Sequence, residues 1–433
     1  MTTSTITSGL GAVAPAAASA AGVQNAPRPG LPGEHFAAAL FFFVCGGVGL
    51  VLVAPDLANG LFFLPSVAAV AHLFVLGWVV LSIFGALCQF LPVAVGKPMR
   101  WTALAHASFV AQVTGVLVFV CGLVHESKGL LHAGATLLTA AFTLFALNLG
   151  ATLASAKERS LTWWALAGAT LFLLVIPAYG VVLALNLHGE VVVQHPFTTV
   201  AVHAHVALLG FVLLVVVGVA QRLLPMFLLA HGVSDRAARA SVALLFAAAS
   251  VLAVPWGGGA RFLVGGVLGA AGVLAFLFQA VAYFRHRMRR GIDPGMRLAA
   301  AGLFGLLAAL LLAPFALGRG VMDLHLLATY FVVLLGAVSL FVAGHYYKIV
   351  PFIVWYHRFG PQVGLKKVPK VAELYSEKVA LLDGALLVGG WAGLALGIYL
   401  GNPTLVRASA LAFTAGGALE AVVLARVARR RLA

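Results

Sequence analysis

The sequence predicts an all-α, polytopic membrane protein with twelve transmembrane helices in three pseudo-equivalent four-helix units. Three observations predict it. Apolar residues make up 62% of the 433-residue chain and charged residues only 9%, too little polar cover for the surface of a soluble domain. Runs of about twenty apolar residues, long enough to span a hydrocarbon core of roughly 30 Å, recur along the whole chain. Three of those runs carry one and the same ladder of residues.

The runs lie near 35–54, 63–92, 102–124, 130–154, 162–186, 197–226, 239–255, 262–284, 298–317, 323–353, 379–400 and 404–425. They form one membrane domain over 34–426. Residues 1–33 are mostly Ala, Ser, Thr, Gly and Pro with a single Arg28. They have no basic stretch ahead of an apolar core and are expected to be a disordered cytoplasmic tail and not a cleaved signal. Residues 427–433 form a short basic tail.

The formal net charge is +15, but its placement argues against nucleic acid. With the N-terminus inside, the even-numbered loops and the C-terminus hold nearly all Lys and Arg, Arg285–Arg290 and Lys366–Lys378 among them. The opposite face keeps only Lys128, Arg261, Arg319 and Arg407. This asymmetry is the positive-inside pattern, which places both termini in the cytoplasm of a bacterium and the helices in its inner membrane. The excess charge then meets anionic lipid.

The repeated ladder is the most specific feature. From His72, glycine follows at Gly77 and Gly85, an aromatic at Trp78, and Leu91-Pro92 closes the segment. From His205 the same offsets give Gly210, Phe211, Gly218 and Leu224-Pro225. A third copy has Phe331 at the histidine position, then Gly336, Gly344 and Pro351. The copies fall on helices two, six and ten, one per four-helix unit, and Gln89, Arg222 and Lys348 mark their cytoplasmic ends. The glycines allow close helix approach. A purely structural repeat needs the glycines and prolines but not the histidines.

Nine of the fourteen histidines are read as solvated or interfacial, at helix ends or in loops: His35, His106, His125, His132, His188, His195, His231, His286 and His357. The other five are placed deeper. An imidazole inside a membrane is costly unless paired or ligated, and two of them on facing helices suit axial ligation of haem iron. His72 and His205, at one depth, are the leading ligands. His203 and His205 point about 200° apart on their helix and cannot share an iron, so His203 is an alternate ligand or belongs to a second site. His325 lies roughly 9 Å outward of the Phe331 level and is a candidate to complete that second site. His345 lies about 21 Å inward and is too distant to share a haem with His72. With Tyr346 and Lys348 it is a candidate for a proton path from the cytoplasmic side. The 355–378 loop is a candidate docking surface. Cys45, Cys88 and Cys121 are scattered and suggest no disulfide, zinc site or covalent haem.

The segment H-A-H-x-x-L-L-G-F at His203–Phe211 resembles the haem-binding segment of the catalytic subunit of cbb3-type oxidases, in the haem–copper oxidase superfamily. Twelve helices in three groups are similar to that subunit as well. The resemblance implies that His72 and one of His203 and His205 hold a low-spin haem b, with the other member of the pair at a second haem. The pattern departs from those oxidases because H-x-H lies on helix six, not ten, and helix seven, which supplies two copper histidines in the family, has none. Copper and conventional copper-dependent oxygen reduction are therefore not expected. The chain also resembles NnrS-like haem membrane proteins of the nitric oxide response, which fit the missing copper ligands better.

The expected function is that of a membrane haem b protein, with one haem or two. It would act in electron transfer or in binding a diatomic gas such as nitric oxide, as an oxidoreductase if it is an enzyme, and with a redox partner in the membrane. A twelve-helix transporter of haem, metal or a small solute and a non-catalytic assembly subunit are the alternatives. Asp383 and Glu420 are the scarce carboxylates within helices, with Lys378 and Arg426 as expected partners.

Overall fold

A computed structural model describes residues 29–254, 258–288 and 291–431. Twelve long helices follow in chain order: α1 (Gly30–Leu52), α2 (Pro65–Val95), α3 (Thr102–Val124), α4 (Lys128–Ala154), α5 (Leu161–Leu187), α6 (Pro196–Leu228), α7 (Arg236–Ala253), α8 (Ala260–Arg285), α9 (Pro294–Arg319), α10 (Leu324–Val354), α11 (Glu377–Tyr399) and α12 (Pro403–Arg429). All twelve are long and apolar enough to cross a membrane, and the described residues contain no strand. Most of the 1–33 tail lies outside the described residues, but Gly30–Gly33 form the first turn of α1. Likewise α12 continues to Arg429, into the segment expected to be a tail.

The helices begin where local chemistry allows. Proline stands in the first turn of α2, α6, α9 and α12, where its missing N–H removes no hydrogen bond. Asp293, Asp323 and Asn402 cap α9, α10 and α12 by accepting from the N–H groups of Met296, Leu326 and Leu405, which satisfies donors the helix leaves free. The repeat prolines Pro92, Pro225 and Pro351 each fall three residues before the last residue of their α-helical stretch.

Packing confirms the threefold plan. Over their most apolar windows α2, α6 and α10 are 72%, 56% and 78% buried, against 28–44% for the other nine helices. The ladder helices are thus the inner ones. The outer helices turn large apolar side chains such as Leu263, Phe278, Phe304 and Phe315 outward, as contact with lipid requires. Consecutive outer helices pair closely, and α12 returns to pack on α1, closing the ring.

The second glycine of each ladder meets the helix just before it. A Cβ on Gly85 would lie 2.8 Å from the His35 Cβ of α1, one on Gly218 2.6 Å from the Ala165 Cβ of α5, and one on Gly344 2.5 Å from the Ala299 backbone nitrogen of α9. The first glycine is equally tight, against Phe42 and Phe172 in the first two copies. In the third copy Trp391 of α11 takes that role, so the units are not strictly equivalent.

Candidate functional site

Where the two histidine-bearing copies leave their first turns, both change helix type. A π-helical stretch runs over Leu73–Val80 directly after His72, and another over Leu208–Leu213 shortly after His205. The third copy, with Phe331 in place of histidine, stays α-helical across that level. π-helical stretches inside α-helices are rare and concentrate at functional sites. Their coincidence with histidine marks the halves of α2 and α6 that lie away from the basic loops.

His72 Nδ1 donates to the carbonyl of Ala68 at 2.6 Å. That bond fixes the tautomer and leaves Nε2 unprotonated, without a partner among the described residues. The ring sits 5.1 Å from that of Phe119 on α3. His203 stands on α6, near enough for charge on one imidazole to act on the other. Its Nδ1 is buried and has no hydrogen-bond partner. Gly180 of α5 lies behind the ring, leaving space that a side chain there would narrow.

His205 is engaged elsewhere. Its Nδ1 donates to Ala201 at 2.7 Å, so its Nε2 must accept, and Tyr330 Oη of α10 donates to it at 2.7 Å. The two rings stack with a 10° interplanar angle, and Phe331 packs beside them. Thus the residues brought together are His72 with His203, and His205 with Tyr330. The Tyr330 contact had no counterpart in the sequence reading, although the tyrosine adjoins the ladder position in α10.

His325 does not join either group. Its ring lies against the α11–α12 turn, 3.4 Å from where a Gly401 Cβ would stand. His345, buried on α10, donates to Phe341 and packs against Phe341 and Phe227. The proton-path candidates part company: Tyr346 Oη meets Ser82 Oγ of α2 at 2.8 Å, while Lys348 forms an ion pair of 2.7 Å with Asp293. His35, expected to be solvated, is fully buried because α1 starts five residues earlier and packs over Gly85. Asp383 and Glu420 pair with neither Lys378 nor Arg426. Residues five or six apart on a helix do not share a face, and both basic side chains are exposed.

At the end of the bundle away from the basic loops, Lys128 and Glu190 form an ion pair, with His132 Nε2 3.5 Å from the same carboxylate. The hydrogen bond from Lys128 holds the Glu190 carboxyl below its usual range. At the basic end the 355–378 loop is tied down. Trp355 Nε1 donates to Pro369, Arg358 to the carbonyls of Ala428 and Arg430, and Arg430 to that of Glu373.

Among the described residues no three His, Cys, Asp or Glu side chains converge as a protein-only metal site requires. A porphyrin iron needs only one or two protein ligands. The chain matches no protein-family model and no curated protein.

Proposed function

We propose that the chain is a haem b protein of the bacterial inner membrane, with its basic face in the cytoplasm. His72 and His203 are assigned as the axial ligands. The single observation that carries this assignment is the state of the two imidazoles: His72 donates its Nδ1 hydrogen to Ala68, the buried His203 Nδ1 meets no partner, and the two rings lie within electrostatic reach of each other.

The donor chemistry fits the group. A histidine ligand commonly donates its other N–H to a carbonyl, which orients the ring and raises its basicity, and His72 does this through Ala68. The unpaired His203 Nδ1 is a buried polar atom whose isolation is costly unless something binds it. Depth sequence alone favoured His205, but Tyr330 already occupies its outward nitrogen. His205 and Tyr330 therefore serve better as a polar wall beside the site.

A bound haem supplies one-electron chemistry, and its potential is set by ligands and burial. The chain's own part is to hold the two imidazoles, with Phe119 packed against His72, and to keep water out. Electron transfer is the function that two histidines on one iron support. Gas binding would require an iron with an open position, which two histidines on one iron do not leave. The arrangement of the helices around α2, α6 and α10 is compatible with this assignment but does not specify a partner.

The test is a reduced-minus-oxidised absorption spectrum of the purified protein, with haem quantified per chain. A b-type spectrum at one haem per chain, lost in His72→Ala and His203→Ala and kept in His205→Ala, is expected. A folded protein without haem, expressed where a control haem protein loads fully, would refute it.

A further inference from the structure

The bundle contains a second group of buried polar side chains, on other helices than His72 and His203 and toward the basic face. It is built by the register of α11 against α12. A Cβ on Gly397 would touch Val406, one on Gly390 would lie 2.5 Å from the Phe413 backbone nitrogen, and one on Gly416 would lie 2.8 Å from Leu387. In this antiparallel pairing every step along α11 is matched by an equal step back along α12. One helical turn beyond Leu387 and Gly416, the same register sets Asp383 opposite Glu420.

Both carboxyls are completely buried. Asp383 Oδ2 accepts from Tyr347 Oη at 2.8 Å, whereas Asp383 Oδ1 and both oxygens of Glu420 meet no donor. The titratable groups facing them are Tyr346 and Tyr347 of α10 and Tyr375 of the inner loop. No described Lys or Arg forms an ion pair with either acid. Two unpaired carboxylates side by side without a cation would carry a desolvation penalty of several kcal/mol per ion. An acid in such surroundings keeps a proton instead.

We propose that Asp383 and Glu420 form a proton-binding site, a carboxyl pair that takes up and releases a proton from the basic face. The proton adds to a carboxylate oxygen, breaking an O–H bond of hydronium or water and forming one on the acid, with no other bond changed. Tyr347 connects the pair to Tyr375, which is only half-buried at the inner loop. On the other side Tyr346, within electrostatic reach of Glu420, hydrogen-bonds Ser82, whose hydroxyl donates to the Trp78 carbonyl within the π-helical stretch of α2. A site on this line is placed to exchange charge with the interior of α2, whatever is bound there.

The test uses the full-length protein in lipid vesicles and a hydrophobic carbodiimide, which attacks protonated carboxyls in apolar surroundings and leaves a stable acylurea. Labelling is mapped by peptide mass spectrometry. Adduct on Glu420 or Asp383 at neutral pH, falling as pH rises and unchanged by sodium or potassium chloride, is expected. Infrared spectra should show a protonated-carboxyl band that shifts down in D2O and is lost in the isosteric Glu420→Gln. Absence of both adduct and band in the wild-type protein would overturn the proposal. So would loss of labelling on adding sodium or potassium at constant pH, which would make the pair a metal-cation site. Because neither readout uses haem, its failure is distinct from failure of the haem assignment.

Discussion

Gly389 and Gly390 are neighbours on α11, yet replacing each by alanine should move stability in opposite directions. A Cβ on Gly389 meets nothing within 4 Å, whereas one on Gly390 would lie 2.5 Å from the Phe413 nitrogen and 2.8 Å from its Cα. Non-bonded atoms of this size sit comfortably at about 3.5 Å, so α12 would have to retreat by about 1 Å, and its backbone cannot bend away as a flexible side chain would. Overpacking of this kind costs about 1–3 kcal/mol, against a gain of up to about 1 kcal/mol from removing glycine from a helix interior. A backbone contact this short falls in the upper part of that range, about 2–3 kcal/mol, so after the gain Gly390→Ala should destabilise by about 1–2 kcal/mol. Gly389→Ala should stabilise by up to about 1 kcal/mol. Unfolding in mixed micelles with increasing SDS, followed by far-UV circular dichroism, separates the two. A Gly390→Ala protein as stable as wild type, or equal shifts for both variants, would refute the α11–α12 register and with it the placing of Asp383 opposite Glu420.

Other consequences can be checked separately. Tyr330→Phe removes the donor to His205 Nε2, an uncompensated loss of about 1–3 kcal/mol, and should leave any haem spectrum in place; loss of the spectrum in His205→Ala instead would make His205 the ligand. Ser82→Ala should destabilise by a similar amount by leaving Tyr346 Oη unpartnered, and the double variant Ser82→Ala with Tyr346→Phe should lose less than the sum of the single variants in the same denaturation assay. Asp323→Ala should cost about 1 kcal/mol as a lost helix cap, while Asp323→Asn keeps most of the cap. The Asp323 carboxyl is held below its usual range by the Leu326 N–H and then by Arg319. Its stabilisation is present above the ordinary aspartate range and lost as pH falls through the lowered value, so the wild-type protein should lose stability there more steeply than Asp323→Asn.

Much of the architecture was legible because the bilayer constrains it simply. Each apolar run became one helix, and the helices that carry the ladder, α2, α6 and α10, are the most buried of the twelve. Direction was less legible than depth. Equal offsets placed His72 and His205 at one level, but the π-helical stretches after them alter which way each ring points, and hydropathy does not encode them. The burial of His35 is not legible in the sequence because the residue sits near the start of a run, where α1 extends further than its apolar pattern. Asp383 and Glu420 were assigned to Lys378 and Arg426 by closeness in sequence, although spacings of five and six already spoke against a shared face.

The central claim is that His72 and His203 hold one iron between them. Low-temperature electron paramagnetic resonance of the oxidised wild-type protein tests it most directly. The expected result is a low-spin ferric signal of the two-imidazole type, accounting for one iron per chain and absent from His203→Ala. A signal that survives intact in His203→Ala, or a folded protein with no iron signal at all, would contradict it.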